Sequence, residues 1–212
     1  GLHTLDQIVH VYNPATGWIQ NCNATPFASS GVASPDKKLY PAYMAPDGQN
    51  YRGVNAIKLL SKVRHLTLDS LIGIGYDKYL AIFDDLLPVL YKAYDAAPDT
   101  VKAAYKAPME LLRSWDRRSG INSAATTLAC EWATRLMILL PRAKTSEEST
   151  YQVQRMEAYL KRANLHAVFN EFVLAVKSLQ RRYGSWAVNW GDINRYQRPG
   201  NGIFSDTGPS IP

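Results

Sequence analysis

The sequence predicts a mainly α-helical chain with a small β portion. Residues 123–141 and 164–184 carry apolar side chains three and four positions apart, which is the period of a helix with one buried face. Residues 5–20 instead mix β-branched and polar positions around a turn, as short strands do. The chain has 212 residues, of which 46% are hydrophobic and 20% charged, so it can bury a core and is not expected to be disordered.

The composition of the chain argues against several kinds of partner and binding site. The formal net charge of +6 is scattered over helix-like segments, which argues against a nucleic acid partner. No apolar run approaches the roughly 20 residues that a membrane-spanning helix needs. Cys22 and Cys130 are too few for a disulfide framework, although a single bridge between them stays open. The four histidines form no metal-binding pattern.

The beginning of the chain predicts a β-hairpin followed by a long loop. Turn-forming residues at 13–17 separate two extended stretches. Four prolines with several glycines and serines exclude a long regular element from residues 25–51. A loop of this kind is suited to form one wall of a substrate cleft.

A helical region is predicted to follow. It opens with an amphipathic helix from Arg52, and Thr67 is placed to cap a second helix. Helical spacing continues over residues 79–90, where Pro88 predicts a kink or a new start. Two short helical segments then lie between prolines.

The clearest helices come later in the chain. Asn122 or Ser123 is placed to cap a helix that ends at Pro141. Another helix is predicted to begin at Asn164 and to end near Gly184.

Two stretches carry weaker patterns. Residues 145–161 are polar and predict a solvent-exposed helix, and some β structure is expected over residues 186–190. The sequence therefore predicts three consecutive segments, which are a hairpin and loop at 1–51, a helical region at 52–183, and an extended tail rich in aromatic residues, glycine and proline at 184–212.

Four motif blocks occur in the order seen in one enzyme family. They are Asn21-Cys22-Asn23 with Pro26 close behind; Arg52, Ile57, Leu59-Leu60 and then Leu66-Thr67-Leu68-Asp69; Leu112-Arg113-Ser114-Trp115-Asp116 with Trp132; and Tyr183-Gly184-Ser185-Trp186 with Trp190-Gly191-Asp192-Ile193-Asn194-Arg195. In this order they resemble the penicillin acylase family of N-terminal nucleophile amidohydrolases, and the resemblance covers roughly residues 6–198.

The resemblance implies a helical segment, with one β edge, of a large subunit whose αββα fold stacks two sheets between helical layers. The family's nucleophile is a serine that begins the large subunit after self-cleavage, and its α-amino group takes the proton. Gly1 does not match that serine. The resemblance therefore implies an internal piece of the large subunit that lacks the nucleophile, is inactive alone, and acts with the remaining parts of its small and large subunits.

Two residues are candidates for the site. The resemblance places Asn23 beside the serine as a donor to the oxyanion, a task that suits an amide because it donates without a change of charge. The residues alone leave open that Asn23 only caps a loop. Arg52 matches an arginine that supports the active site, where a guanidinium can hold carbonyl groups or a carboxylate. The alternative is a surface arginine at a helix start, where the helix dipole disfavours it.

Other residues are less closely tied to chemistry. Trp18, Trp186 and Trp190 are candidates to line an acyl pocket, but residues of this type more often belong to a core. No cofactor or metal-ligand set is predicted. Some family members bind calcium, and Asp36 or Asp47 would be the local candidates.

The resemblance implies a small N-acyl substrate with a linear amide bond, such as penicillin or an acyl-homoserine lactone, and an exported, periplasmic enzyme. The residues at hand contain no signal peptide. Cys22 stands where relatives often carry a bulkier residue, so the acyl group stays open. Two other classes remain: a mostly helical binding or scaffold domain without a nucleophile, and an anion-binding module whose affinity would fall steeply with salt.

Overall fold

The computed structural model describes residues 2–197 and 210–211 and confirms the mainly helical class. Within these residues the only β pairing is two isolated antiparallel bridges, Tyr79 with Arg118 and Tyr196 with Ile211. The helices are α1 (Tyr51–Leu60), α2 (Leu68–Gly75), α3 (Phe83–Asp95), α4 (Asp99–Ala104), α5 (Lys106–Arg113), α6 (Ala124–Leu136), α7 (Ser146–Thr150), α8 (Gln152–Leu160), α9 (Leu165–Tyr183) and α10 (Trp190–Ile193).

The chain forms two compact units that are interleaved along the sequence. The loop unit holds the residues up to Asp77 together with Pro141–Lys161, and therefore contains α1, α2, α7 and α8. The helical unit holds Lys78–Leu140 and the described residues from Arg162 onward. The sequence predicts three consecutive segments instead, because patterns along the chain do not reveal which distant stretches pack together.

The helical unit is built around α3, α6 and α9, with α5 packed on α6. Trp132 of α6 is fully buried, and its indole N–H donates to the carbonyl of Val168 at 3.3 Å. Phe169 and Phe172 of α9 stack at 6.0 Å, and Tyr105 meets both rings edge-on. These apolar faces are the ones that the helical period predicts, since burial of one face holds such helices together.

The predicted helix ends are confirmed at several positions. Ser123, rather than Asn122, caps α6, and Asn164 caps α9, each with a side-chain oxygen that accepts a backbone N–H. Thr67 caps α2 in the same way. Gly184 ends α9 with φ +74°, a left-handed conformation that glycine adopts without steric cost.

Pro88 does not start a new helix, because α3 runs through it from Phe83 to Asp95. Leu86, Leu87 and Leu90 on either side of the proline are fully buried. Burial of these side chains outweighs the hydrogen bond that a proline removes from a helix interior. The predicted helical spacing is therefore right from residue 83, whereas Tyr79 lies outside α3 in an isolated bridge.

The predicted hairpin at the start of the chain is wrong. Residues 5–7 form a 3-10 turn, and no strand is present among described residues 8–24. The N–H of Gln20 donates to the carbonyl of Ser29 at 2.8 Å, and the Ser30 hydroxyl donates to the carbonyl of Trp18. An isolated two-stranded hairpin is only marginally stable, and these loop contacts take up part of its backbone bonding capacity.

The polar stretch 145–161 forms two short helices, α7 and α8, instead of one. Their junction at Tyr151 packs against Gly48, where a Cβ would lie only 2.6 Å from the Tyr151 Cα. The N–H of Gly48 also donates to Thr150 Oγ1 at 2.9 Å. The break between the two helices therefore coincides with a tertiary contact to a glycine that is distant in the sequence, and the helical period of a sequence does not indicate such contacts.

The end of the chain is partly outside the described residues. Residues 198–209 and 212, which belong to the predicted extended tail, are among those not described. The β structure expected over residues 186–190 is absent, and Trp190 begins the short helix α10. In the described part of the chain, no helix combines the length and apolar character required to span a membrane.

Candidate functional site

Asn23 lies on an exposed turn of the loop unit. Its φ of +53° is left-handed, a conformation that asparagine tolerates better than most residues because its short side chain bonds locally. The backbone N–H of Asn23 donates to Asn21 Oδ1 at 2.8 Å. The side chain that forms this Asx-type turn belongs to Asn21, so it is not the loop-capping role that the residues alone left open for Asn23.

Arg52 meets Asn23 directly, although 29 residues separate them in the chain. Arg52 is the second residue of α1, and its Nη2 donates to Asn23 Oδ1 at 3.3 Å. The Oδ1 atom of the Asn23 amide therefore already accepts a hydrogen bond. The two N–H groups on its Nδ2 are the donors of this side chain. Across the described residues, Asn23 Nδ2 makes no hydrogen bond and Arg52 pairs with no carboxylate.

A buried asparagine joins the two segments that carry this pair. The side chain of Asn50 donates through Nδ2 to the carbonyls of Cys22 at 2.9 Å and Asn23 at 3.2 Å. Its Oδ1 accepts the N–H of Gly53 at 3.0 Å and so caps α1. Asn50 is not among the candidates predicted from the sequence, although an asparagine directly before an amphipathic helix is a recognised capping signal.

A cleft of about 360 Å³ lies near the Asn23 turn, and Asn23 itself is not among the residues that line it. Its size falls in the range of small-molecule sites. Asn21 and Ala24, which flank Asn23 in the chain, both line it. The proline-rich loop contributes Thr25, Pro26 and Ser29, so residues of the loop do line a cleft, and Val9, His10, Val11, Ile19 and Gln20 complete the lining.

Two buried polar atoms that belong to lining residues have no hydrogen-bond partner among the described residues. They are Gln20 Oε1 and Ser29 Oγ, and Ser29 is only 8% exposed. A buried polar atom without a partner is costly, so it favours a ligand group or a water in contact with it. The residues that line the cleft are therefore a mixture of apolar and polar types.

Within the described part of the loop unit, the remaining candidates make other contacts. Trp18 packs its ring against Gly31, where a Cβ would lie 3.1 Å from the indole. Asp36 caps a 3-10 turn through the N–H of Lys38, and Asp47 is exposed. No group of three histidine, cysteine or acidic side chains suited to a metal occurs in the part of the chain that is described. Cys22 and Cys130 are both free.

A second cluster of polar side chains lies in the helical unit, and its hydrogen bonds indicate that it has a structural role. Asp84 accepts hydrogen bonds from the Tyr79 hydroxyl and the Arg117 guanidinium. The hydrogen bond with Tyr79 raises the pKa of Arg117 above its ordinary value. Nearby, the Trp115 indole N–H donates to the carbonyl of Arg118 at 3.0 Å. Each of these side chains bonds within the protein, which distinguishes the cluster from the open donors of Asn23.

One known family matches almost the whole chain. The family model described as Penicillin amidase matches residues 1–209. The matched stretch contains Asn23, Asn50 and Arg52 and includes residues of both units.

Proposed function

This chain belongs to the penicillin amidase family, and we propose that it carries the oxyanion-binding part of an acylase that hydrolyses the linear amide bond of an N-acyl compound. Amide hydrolysis is the general activity of that family. The oxyanion-binding role is supported by the hydrogen bonding of the Asn23 amide. Arg52 binds its oxygen, and its nitrogen makes no hydrogen bond to the described residues.

Hydrolysis of an amide by a serine passes through a tetrahedral intermediate with a negative oxygen. A preplaced donor stabilises this oxygen more than it stabilises the neutral carbonyl of the substrate, and therefore speeds the reaction. In our proposal Asn23 Nδ2 is that donor. The cationic Arg52 polarises the amide from its oxygen side, which makes the N–H a stronger donor.

We propose that the nucleophile is an N-terminal serine from a part of the enzyme outside these residues. Its hydroxyl oxygen attacks the amide carbon, its own α-amino group takes the proton, and the amine leaves with that proton. Water then attacks the acyl-serine, which releases the carboxylic acid and restores the serine. An α-amino group has an ordinary pKa of about 7.7–8.0, so it can act as a base near neutral pH.

The substrate is proposed to be a small N-acyl amide such as penicillin or an acyl-homoserine lactone. The cleft near the Asn23 turn is lined by apolar residues such as Val9 and Ile19 and by polar residues such as Asn21, a lining that suits a chain bearing an amide. The remaining parts of the small and large subunits would complete the site. A periplasmic location and calcium binding remain predictions that depend on the family alone.

The experiment that tests the proposal replaces Asn23 in the full-length enzyme. Asn23→Gly removes the amide and keeps the left-handed turn, so we expect turnover of an N-acyl amide to fall by roughly 10²–10³ with little change in stability. Asn13 is a matched control, because it is also exposed and left-handed, with φ +43°. Asn13→Gly is expected to leave turnover unchanged.

The outcome separates the proposal from the alternative of a helical scaffold. If Asn23→Gly retains turnover within a factor of two, Asn23 has no part in the mechanism. Mass spectrometry of the full gene product gives an independent test. Two chains, of which the larger begins with serine, are expected, whereas a single unprocessed chain without activity would favour the scaffold.

A further inference from the structure

We propose that Asn50 is the positioning residue that holds the Asn23 turn and the Arg52 helix start in one arrangement. This inference rests on the proposed function, in which the Asn23 amide binds the oxyanion. It concerns a side chain that meets neither the substrate nor the reacting atoms and acts through Asn23 and Arg52.

The hydrogen bonds of the Asn50 side chain join the Asn23 turn to the start of α1, and we call this arrangement the clamp. The residue is only 7% exposed, and one planar amide uses both ends: Nδ2 binds the carbonyls of Cys22 and Asn23, and Oδ1 binds the N–H of Gly53. The two carbonyls lie 28 and 27 residues before Asn50 in the chain. A single rigid group therefore ties the backbone of the Asn23 turn to the first turn of α1.

Neighbouring contacts keep the clamp in register. The N–H of Thr25 donates to the carbonyl of Gly48 at 3.0 Å, which fixes the segment before Asn50 along the Asn23 turn. The side chain of Gln49 accepts the N–H of Asn50 at 3.1 Å. Gln49 also lies against Gly53, where a Cβ would be 2.5 Å from its Oε1. The start of α1 is thus packed closely around the Asn50 amide.

The position of the Arg52 guanidinium depends on this arrangement. Its long side chain has several rotatable bonds, and within the described part of the chain its only side-chain hydrogen bond is the 3.3 Å bond to Asn23 Oδ1. A shift of the helix start by about an ångström would lengthen that bond beyond hydrogen-bonding distance. The Asn23 amide would then be free to rotate, and its N–H would no longer be fixed for a developing oxyanion.

Asparagine is required for this role because it offers a donor and an acceptor at once. Aspartate caps helices as well as asparagine does. It would keep the bond to Gly53 but would place a negative oxygen against the carbonyl oxygens of Cys22 and Asn23. Asn50→Asp therefore separates the clamp from the helix cap, and Asn50→Ser does so without added charge.

The test measures kcat and KM for an N-acyl amide with the full-length enzyme. We expect Asn50→Asp and Asn50→Ser to lower kcat by roughly 10- to 100-fold and to change KM by less than about threefold. Asn164, which caps α9 through the N–H of Ala167, is the matched control. Asn164→Asp retains that cap and is expected to leave kcat unchanged.

A double mutant identifies how Asn50 acts. Once Asn23→Gly has removed the amide, adding Asn50→Asp is expected to lower kcat by less than about twofold, because the group that the clamp positions is gone. An equal loss of kcat in both backgrounds would show a general structural role and overturn the proposal. Unchanged kcat in both Asn50 variants would also overturn it.

These results distinguish the two proposals. If Asn23→Gly lowers kcat and the Asn50 variants do not, only the positioning role fails. If Asn23→Gly itself leaves kcat unchanged, the proposed oxyanion role fails, and the positioning role that depends on it fails with it.

Discussion

The two units of the molecule use different interactions to fix their structure. In the helical unit, α3, α6 and α9 bury a continuous set of apolar side chains. In the loop unit, Leu60 and Met156 are the buried hydrophobic residues among those described, and side-chain to backbone hydrogen bonds such as those of Asn50 and Ser30 connect its loops. One unit is held mainly by packing and the other largely by polar contacts.

This difference indicates how stability and chemistry are divided. Burial of apolar surface is not directional, so it stabilises the helical unit without placing any one polar group accurately. Hydrogen bonds are directional and contribute less free energy each. The loop unit therefore has the kind of bonding that can aim an amide, and the candidate site lies there.

The largest effect on stability is expected at Trp132. Because the side chain is fully buried in the helical unit, Trp132→Ala should lower the free energy of unfolding by about 3–5 kcal/mol. Trp18 of the loop unit is only partly buried, so Trp18→Ala should cost roughly half as much or less. Chemical denaturation measures both values.

Ile138, which is 77% exposed, provides the control, and Ile138→Ala should change stability by less than about 0.5 kcal/mol. Equal losses for the two tryptophans would contradict the view that packing dominates only in the helical unit.

Two glycines, one in each unit, are expected to have smaller effects on stability. Replacing one should destabilise the protein and replacing the other should stabilise it. Gly184 has φ +74° at the end of α9, so Gly184→Ala should destabilise by about 1–2 kcal/mol. Gly73 lies inside α2 without a positive φ, and a Cβ there would have open space for 4 Å around it. Gly73→Ala should therefore stabilise by about 0.5–1 kcal/mol. Thermal unfolding of the two variants checks the signs, and a loss at Gly73 would show that α2 needs backbone freedom.

The two cysteines offer the smallest effect, which is one of reactivity. Burial raises the pKa of the Cys130 thiol to about 11. At pH 8 roughly one thiol in a thousand is then ionised, and only the thiolate reacts readily. We expect a thiol reagent to label Cys130 slowly, with a rate that rises about tenfold per pH unit up to about pH 10.

Single-cysteine variants, Cys22→Ser and Cys130→Ser, assign the labelling phases. Burial raises the pKa of the Cys130 thiol from 9.0 to about 11 in the folded state, so its contribution to stability is full below about pH 9 and falls as pH rises towards 11. Rapid labelling of Cys130 at pH 7 would show that the helical unit opens easily around α6.

Local patterns account for much of the helical unit. The caps at Ser123 and Asn164 and the end of α9 at Gly184 are predictable because each depends on a few neighbouring residues. The hairpin predicted at the start of the chain is wrong, because a strand needs partners that are distant in the sequence. The split at Tyr151 escapes prediction for a similar reason, since this junction packs against Gly48, which is distant in the sequence.

The candidate site shows the same difference between features that neighbouring residues predict and features that depend on distant residues. The resemblance of the motifs singles out Asn23 and Arg52, but it does not reveal that they are in contact or that Asn50 joins their backbones. Asn50 carries a local signal only as a helix cap. Its second role depends on carbonyls at Cys22 and Asn23, which no spacing along the chain relates to it.

The sequence alone determined the mainly helical class, the principal helix caps and the family, because helical period, capping and ordered motifs are all encoded by residues close together in the chain. Only the tertiary structure decided how the stretches divide into two units, where α7 gives way to α8, and that one buried amide links the Asn23 turn to the start of α1. Those features arise from contacts between distant segments, whose free energy depends on packing and on hydrogen-bond direction in three dimensions.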